Sequence, residues 1–410
     1  MSYNFDTITD RRNTDCIKYD WTVERGKPKD VLSLWVADMD FPTLPEVSEA
    51  IRKAADHGIY GYTEPKNPYY EALSGWFSRR FDFAIQKDWI VKTPGVVFAL
   101  ALAVRTFTEV GDSVLIQRPV YYPFSQVIEA NGRKVVSNSL VIRKGKDARQ
   151  NSNEDGCPGF NPRFPNTYAI DFEDFEKKIV KHQIRLFLLC SPHNPVGRVW
   201  TEDELRRMAE ICKKHDCVIV SDEIHCDFVF PGNKHFVLPS LSEKIADNVM
   251  LCTAPSKTFN LAGLQISNII IPSIELRKRV LKELEKTGFS QCNTTGLVAC
   301  RAAYEHGEPW LEALLVYLKG NLDFAMDFLA KKLPQVDVIV PQGTYLLWLD
   351  FRKTAIAPKE LDHFIVHKAK LWLDSGEIFG DEGLGFQRIN IACPRSVLAE
   401  CLERLQNAFA

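Results

Sequence analysis

A helix bracketed by two unbroken apolar runs constrains this chain more than any other stretch. RLFLLC and VIVSDEI stand on either side of TEDELRRMAEICKKHDC. The two runs show no polar–apolar alternation, which marks strands covered on both faces. The segment between them opens with a capping-box pattern, Thr201 to Glu204, and repeats apolar residues at 205, 208, 209 and 212, the spacing of one helical face. Strand, helix and strand in that order predict parallel strands joined by a right-handed crossover. Upstream, GVVFALALAVRTFTEVG is apolar nearly all round, as a buried helix is, and SVLIQ follows as a short strand. From Pro94 onward the chain therefore reads as α/β, with helices packed on a mostly parallel sheet.

A chain of 410 residues is long for a single core. The expected division is a large domain over 56–288 and a smaller α+β domain built from 1–55 and 289–410. The smaller one would hold the helical WLEALLVYLKGNLDFAMDFLAKKL and the strand TYLLWLDF. Residues 143–166 are polar and rich in Gly, Pro and Asn, which predicts an exposed loop or hairpin insertion. A composition of 45% hydrophobic and 25% charged residues argues against disorder and low complexity. Lys plus Arg number 51 against 53 Asp plus Glu, so no basic field exists to attract nucleic acid or an anionic membrane. The opening MSYNFDTITDRRNTD carries charges where a secretory leader needs an apolar core, and no stretch is apolar for long enough to span a bilayer, so a cytoplasmic location is expected. Eleven scattered cysteines without a CxxC pair read as reduced core thiols, and no metal site is expected.

Five short segments carry chemistry. In SPHNPVGRVW a strand ends and turns through Asn194, which places an amide where open α/β sheets collect ligands, although Asn194 also suits a plain turn. SDEIHCDF puts Asp222 and Glu223 where an apolar run stops; a carboxylate buried there needs a cationic or hydrogen-bonding partner, while one exposed to water or capping a helix does not. APSKTFNLAGLQ sets Lys257 among small residues just past a strand, fit for a partly desolvated nucleophilic amine or, equally, for a solvated surface charge. TPGVV opens a buried helix with the free N–H groups of Gly95, Val96 and Val97, a place for a phosphate. RPVYYPF offers a tyrosine ring to stack on a flat ligand or to pack in the core.

Taken in order, TPGVV, RPVYYPF, SPHNPVGRVW, SDEIH and APSKTFNLAGLQ resemble the class I/II aminotransferase superfamily of pyridoxal-5′-phosphate (PLP) enzymes, fold type I. LWVADMDFPTLPEV, YGYTEPK and GFQRINIACPR resemble its cystathionine β-lyase (C–S lyase) branch, the MalY/PatB type. The resemblance covers almost the whole chain. It implies that Lys257 is the Schiff-base lysine and catalytic base and that Asp222 pairs with the pyridine nitrogen. It further implies that Tyr121 stacks on the ring, that Asn194 donates to the phenolic oxygen and that His225 sits near that oxygen. Gly95, Val96 and Val97, with Ser256 nearby, would hold the phosphate, and Tyr62 would reach it from the partner subunit of a homodimer. Arg388 would grip the substrate α-carboxylate, beside Asn194 and Tyr121. Two departures stand out. Many aminotransferases carry an arginine eight residues past the lysine where this chain has Gln265, and a serine three before it where this chain has Ala254. Gln265 agrees with the C–S lyase branch. The implied activity is β-elimination on cystathionine or related cysteine S-conjugates. An aminotransferase would use the same lysine, aspartate and arginine, and a non-catalytic PLP-binding regulator would keep the pocket without needing the base.

Overall fold

The computed structural model of the protein describes residues 3–144 and 163–410. Its central sheet has seven strands: β1 (Ile90–Thr93), β2 (Ser113–Ile116), β3 (Lys134–Ser137), β4 (Leu186–Cys190), β5 (Val218–Asp222), β6 (Val249–Thr253) and β7 (Ser267–Ile270). They lie in the order β1-β7-β6-β5-β4-β2-β3. Pairing is parallel from β3 through β6, and only β7 runs against its neighbours. Six carboxyl ends therefore share one edge.

The apolar runs lack alternation because both faces of the sheet are covered. Leu186, Leu188, Val218, Val220 and Met250 join the helix Val96–Phe107 in one apolar layer. Phe187, Leu189, Ile219 and Leu251 point the other way, into a second and larger core. Every residue of β4, β5 and β6 is buried. The helix Glu202–Lys214 between β4 and β5 buries Leu205, Met208, Ala209 and Cys212, the face its spacing predicts, and its capping box is formed in both directions. Thr201 N–H donates to Glu204 Oε2 at 2.9 Å, and Glu204 N–H donates to Thr201 Oγ1 at 3.2 Å.

A second, antiparallel sheet contains β8 (Asp337–Ile339), β9 (Leu346–Asp350), β10 (Asp374–Ser375) and β11 (Phe386–Asn390), in the order β8-β9-β11-β10. Both ends of the chain meet beside it, where Leu32–Ser33 pairs parallel with Leu371–Trp372. The boundary expected between 55 and 56 falls inside the helix Pro45–His57, which closes at Gly58 with φ 71°, a left-handed position that suits glycine. That helix and Asn67–Phe81 both pack on Thr294–His306, so the helical layer crosses the boundary drawn from chain order. The expected insertion at 143–166 lies mostly outside the described residues; its flanks, Val141–Arg143 and Thr167–Ala169, form an antiparallel pair. Ten cysteines are described, all free and nine of them buried, as core thiols would be, and Cys157 lies outside the described residues. Among the described residues, no helix is long and apolar enough to cross a membrane.

Thr201→Ala removes one half of the capping box and is expected to destabilise the protein by about 1 kcal/mol. An earlier urea midpoint would register the loss, and an unchanged midpoint would contradict the role of the cap.

Candidate active site

The polar residues singled out in the sequence converge on the edge where six strands end, the place where open α/β sheets bind ligands. Asp222 is the last residue of β5, Asn194 follows β4, Tyr121 follows β2, Gly95 follows β1, and Lys257 lies in the short helix Pro255–Thr258 after β6. Lys257 lies within electrostatic reach of Asp222, His225 and Arg388, and Tyr121 within reach of Asp222 and Arg388, although three different strands and a second sheet supply them.

The two neighbouring acids differ sharply. Glu223 is saturated: its carboxylate meets His235 Nε2 at 2.7 Å and accepts from Ser221 Oγ at 2.8 Å and Leu238 N–H at 3.0 Å. Asp222, equally buried, accepts only from Ile224 N–H at 3.1 Å and has no ion pair among the described residues. Burial therefore pushes its pKa up to about 7, with Ile224 N–H and Lys257 opposing the shift. A buried carboxyl with an open acceptor fits a ligand that brings a cationic N–H.

Lys257 Nζ donates to Ala37 O at 2.7 Å, and the same carbonyl accepts from Tyr345 Oη at 2.9 Å. Burial lowers the amine to about 8, against the opposing charge of Asp38 and with the help of the Arg388 cation. The Ala37 carbonyl is held by its neighbours. Asn390 Nδ2 donates to Val36 O and Asp38 O, and Asn260 Nδ2 donates to Met39 O and Phe41 O. Arg11 and Lys18 bind Asp40 at 2.9 and 2.8 Å. On the far side of Lys257, Thr258 Oγ1 donates to Asp227, which also accepts from Arg80 and Trp76.

Arg388 in β11 is almost wholly buried, and β-sheet register sets Asp374 directly opposite it. One nitrogen, Nη2, binds Asp374 and donates to Trp35 O at 2.7 Å; the other, Nη1, donates to Asn194 Oδ1 at 3.0 Å. Asn194 thereby keeps its amide N–H₂ for a ligand. His225 is buried, its ring edge-on to Tyr345, and its Nδ1 has no hydrogen-bond partner among the described residues. Burial, aided by Lys257 and Arg388, holds its pKa well below the usual histidine range, so the ring is neutral. Burial also raises the hydroxyl of Tyr121, which stays protonated.

At the opposite end of the site, Gly95 caps the helix Val96–Phe107 with φ 146°, a conformation that favours glycine, and a Cβ added there would meet nothing within 4 Å. The first helical bond runs from Ala99 N–H to Gly95 O, so the N–H groups of Val96 and Val97 are free at a positive dipole end. These features fit a planar cofactor with a pyridinium N–H at one end and a phosphate at the other. Ser256 lies beside Lys257 in the same one-turn helix. Ala254 is buried, and Gln265 adopts a left-handed φ of 46° at an exposed position, with no arginine in its place. Tyr62 is not brought to this site: it is 99% exposed, in a run with Ile59 and Tyr60, which are also exposed.

Ala37, Tyr345, Asp374 and Asp227, which contact Lys257, Arg388, Thr258 or one another, are the positions around the site that sequence reading missed. LWVADMDF contains Ala37 and was singled out by resemblance, but no local pattern announces a backbone carbonyl facing a lysine 220 residues away.

This chain belongs to the aminotransferase class I and II family, whose model matches residues 29–405. Cystathionine beta-lyase PatB of Bacillus subtilis (strain 168) is 40% identical over 99% of this chain and 100% of its own. Protein MalY of Escherichia coli (strain K12) is 34% identical over 99% of each. Among solved structures, cystalysin from Treponema denticola, which contains a pyridoxal 5′-phosphate cofactor, is 39% identical and superposes with a TM-score of 0.91 over 100% of this chain and 99% of its own.

Two predictions follow from the electrostatics. Asp222 is charged in the unfolded chain above pH 3.8 but in the folded, cofactor-free protein only above about 7, so it weakens the fold increasingly between those values and by a constant amount above them. Asp222→Asn is expected to stabilise cofactor-free protein at pH 8 by on the order of 2–4 kcal/mol, with the gain vanishing at pH 4. Thermal midpoints at the two pH values check this. For Lys257, the unprotonated fraction rises from about a tenth at pH 7 to about half at pH 8. The rate of covalent PLP capture should follow that rise and level off above pH 9, whereas a rate still climbing towards pH 10.5 would place the amine in water.

Proposed function

We propose that this protein is a PLP-dependent C–S lyase that acts on cystathionine or related cysteine S-conjugates and releases a thiol, pyruvate and ammonia. The observation that carries this reading is the open, buried Asp222 carboxyl in the electrostatic reach of a lowered lysine amine, in a chain 40% identical over its length to a cystathionine beta-lyase. PLP, when bound, supplies an electron sink for the pair left at the substrate Cα.

The residues divide the remaining work. Asp222, as a carboxylate, keeps the ring nitrogen protonated, and the helix start at Gly95, Val96 and Val97, with Ser256, holds the phosphate. Tyr121 covers the ring, while Asn194 and the neutral His225 attend the phenolic oxygen. Arg388 holds the substrate α-carboxylate, its own orientation set by Asp374 and the Trp35 carbonyl. The unprotonated Lys257 amine takes the Cα proton as general base. The β-sulfur then leaves with its bonding electrons, and water cleaves the remaining product to pyruvate and ammonia.

The arm around Tyr62 supports a homodimer. A tyrosine exposed on every side, just past exposed Ile59 and Tyr60, suits a segment that completes a neighbouring site, where its hydroxyl reaches the phosphate. Buried free thiols suit a reducing cytoplasm.

The test is pyruvate and thiol release from cystathionine by purified holoenzyme, set against Lys257→Ala. The variant should fold, lose the bound cofactor's absorbance band and lose activity by about 10²–10⁴-fold or more. Amino transfer to a keto acid without pyruvate or thiol from the wild type would overturn the lyase reading, and retained turnover in the variant would remove Lys257 from its role.

A further inference from the structure

The N-terminal segment brings an unpaired cation to the rim of this site. Arg25 lies in a turn closed by its own N–H to Trp21 O at 3.1 Å and by Lys27 N–H to Thr22 O at 2.9 Å. Its guanidinium sits over the Trp35 ring, 5.3 Å from the centroid. Trp35 is stacked in turn on Trp372, with centroids 4.4 Å apart and planes within 16°. This aromatic pair adjoins the carboxylate clamp, because the Trp35 carbonyl accepts from Arg388 and the Trp372 carbonyl accepts from Leu34 N–H. Tyr122 links the two arginines: its hydroxyl feels Asp374, Arg388 and Arg25 together, and its ring lies 5.2 Å from that of Tyr121.

Arg25 is exposed to solvent, and apart from the Trp35 ring no group of the described chain engages its charge. Asp374, which shares the field of Tyr122 with Arg25, is engaged by Arg388. Arg25 itself has no ion pair and no hydrogen bond from its guanidinium among the described residues, and Trp35 Nε1 beside it is buried without a partner. A planar guanidinium resting on an indole, next to a second unmatched N–H donor, is matched by a planar anion such as a carboxylate.

We infer that Arg25, backed by the Trp35–Trp372 stack, is a specificity-determining residue that selects cysteine S-conjugates whose sulfur substituent ends in a carboxylate. This rests on the lyase reading above and names the substrate class it serves: amino acids with one carboxylate for Arg388 and a second, beyond the sulfur, for Arg25.

The test compares S-(2-carboxyethyl)-L-cysteine with its uncharged, equally long amide, S-(2-carbamoylethyl)-L-cysteine, by pyruvate release from the holoenzyme. The wild type should favour the acid in kcat/KM by about tenfold, mainly through KM and more strongly at low salt. Arg25→Ala should abolish that preference, and Arg25→Lys, which keeps the charge but not the fork, should keep part of it. A preference ratio that Arg25→Ala leaves unchanged, or equal loss on both compounds, would overturn the inference. If the wild type releases pyruvate from neither, the lyase reading fails separately, and calorimetric affinities for the two compounds decide Arg25: preference for the acid lost in Arg25→Ala supports it, and equal wild-type affinities overturn it.

Discussion

A carboxyl group buried at the end of a strand without an ion-pair partner among the described residues is the constraint on which the rest of this site depends. Protein interiors seldom hold such a group, since its ionised form costs several kcal/mol unless something answers it. Here Glu223, one residue on, shows what a satisfied buried acid looks like in the same fold, with three hydrogen-bonding partners. Asp222 has a single backbone donor. The fold tolerates the difference because six parallel strand ends and the packed layers on both faces of the sheet leave the backbone no room to move Asp222 into water. The open acceptor fits a ligand that brings a cationic N–H.

The remaining polar groups are fixed in advance by contacts that a ligand does not have to make. Arg388 is anchored by Asp374 across the sheet and by the Trp35 carbonyl, so its second nitrogen, Nη1, orients Asn194 instead of searching for a partner. Lys257 rests against the Ala37 carbonyl, in a segment tied down by Asn260 and Asn390. An amine so placed loses a proton more readily than one in water, chiefly through burial and with the help of the Arg388 cation. Pre-organisation of this kind places the cost of ordering in folding, before substrate arrives.

Much of the architecture was legible because periodicity and burial are the same fact seen twice. The unbroken runs at 186–190 and 218–222 are strands covered on both faces, and the Thr201–Glu204 pattern is a capping box in the structure. The site was legible by resemblance more than by local chemistry, for Lys257 and Asp222 each fitted a bland reading alone. The partners of Lys257 were not legible at all. Ala37 contributes only a carbonyl, Tyr345 arrives from just before β9 of the other sheet, and no spacing rule connects residues 220 or 308 positions apart. The boundary drawn at 55/56 falls inside the helix Pro45–His57, which packs on Thr294–His306, a contact that chain order does not reveal.

The most direct measurement is the protonation of the Asp222 carboxyl itself, followed by infrared difference spectroscopy against Asp222→Asn, with and without PLP. In the cofactor-free protein the group should titrate near pH 7, and with cofactor bound it should stay ionised down to below pH 5. A cofactor-free titration near pH 4, or one that PLP leaves unmoved, would contradict the claim that this acid is held open for a cationic ring nitrogen.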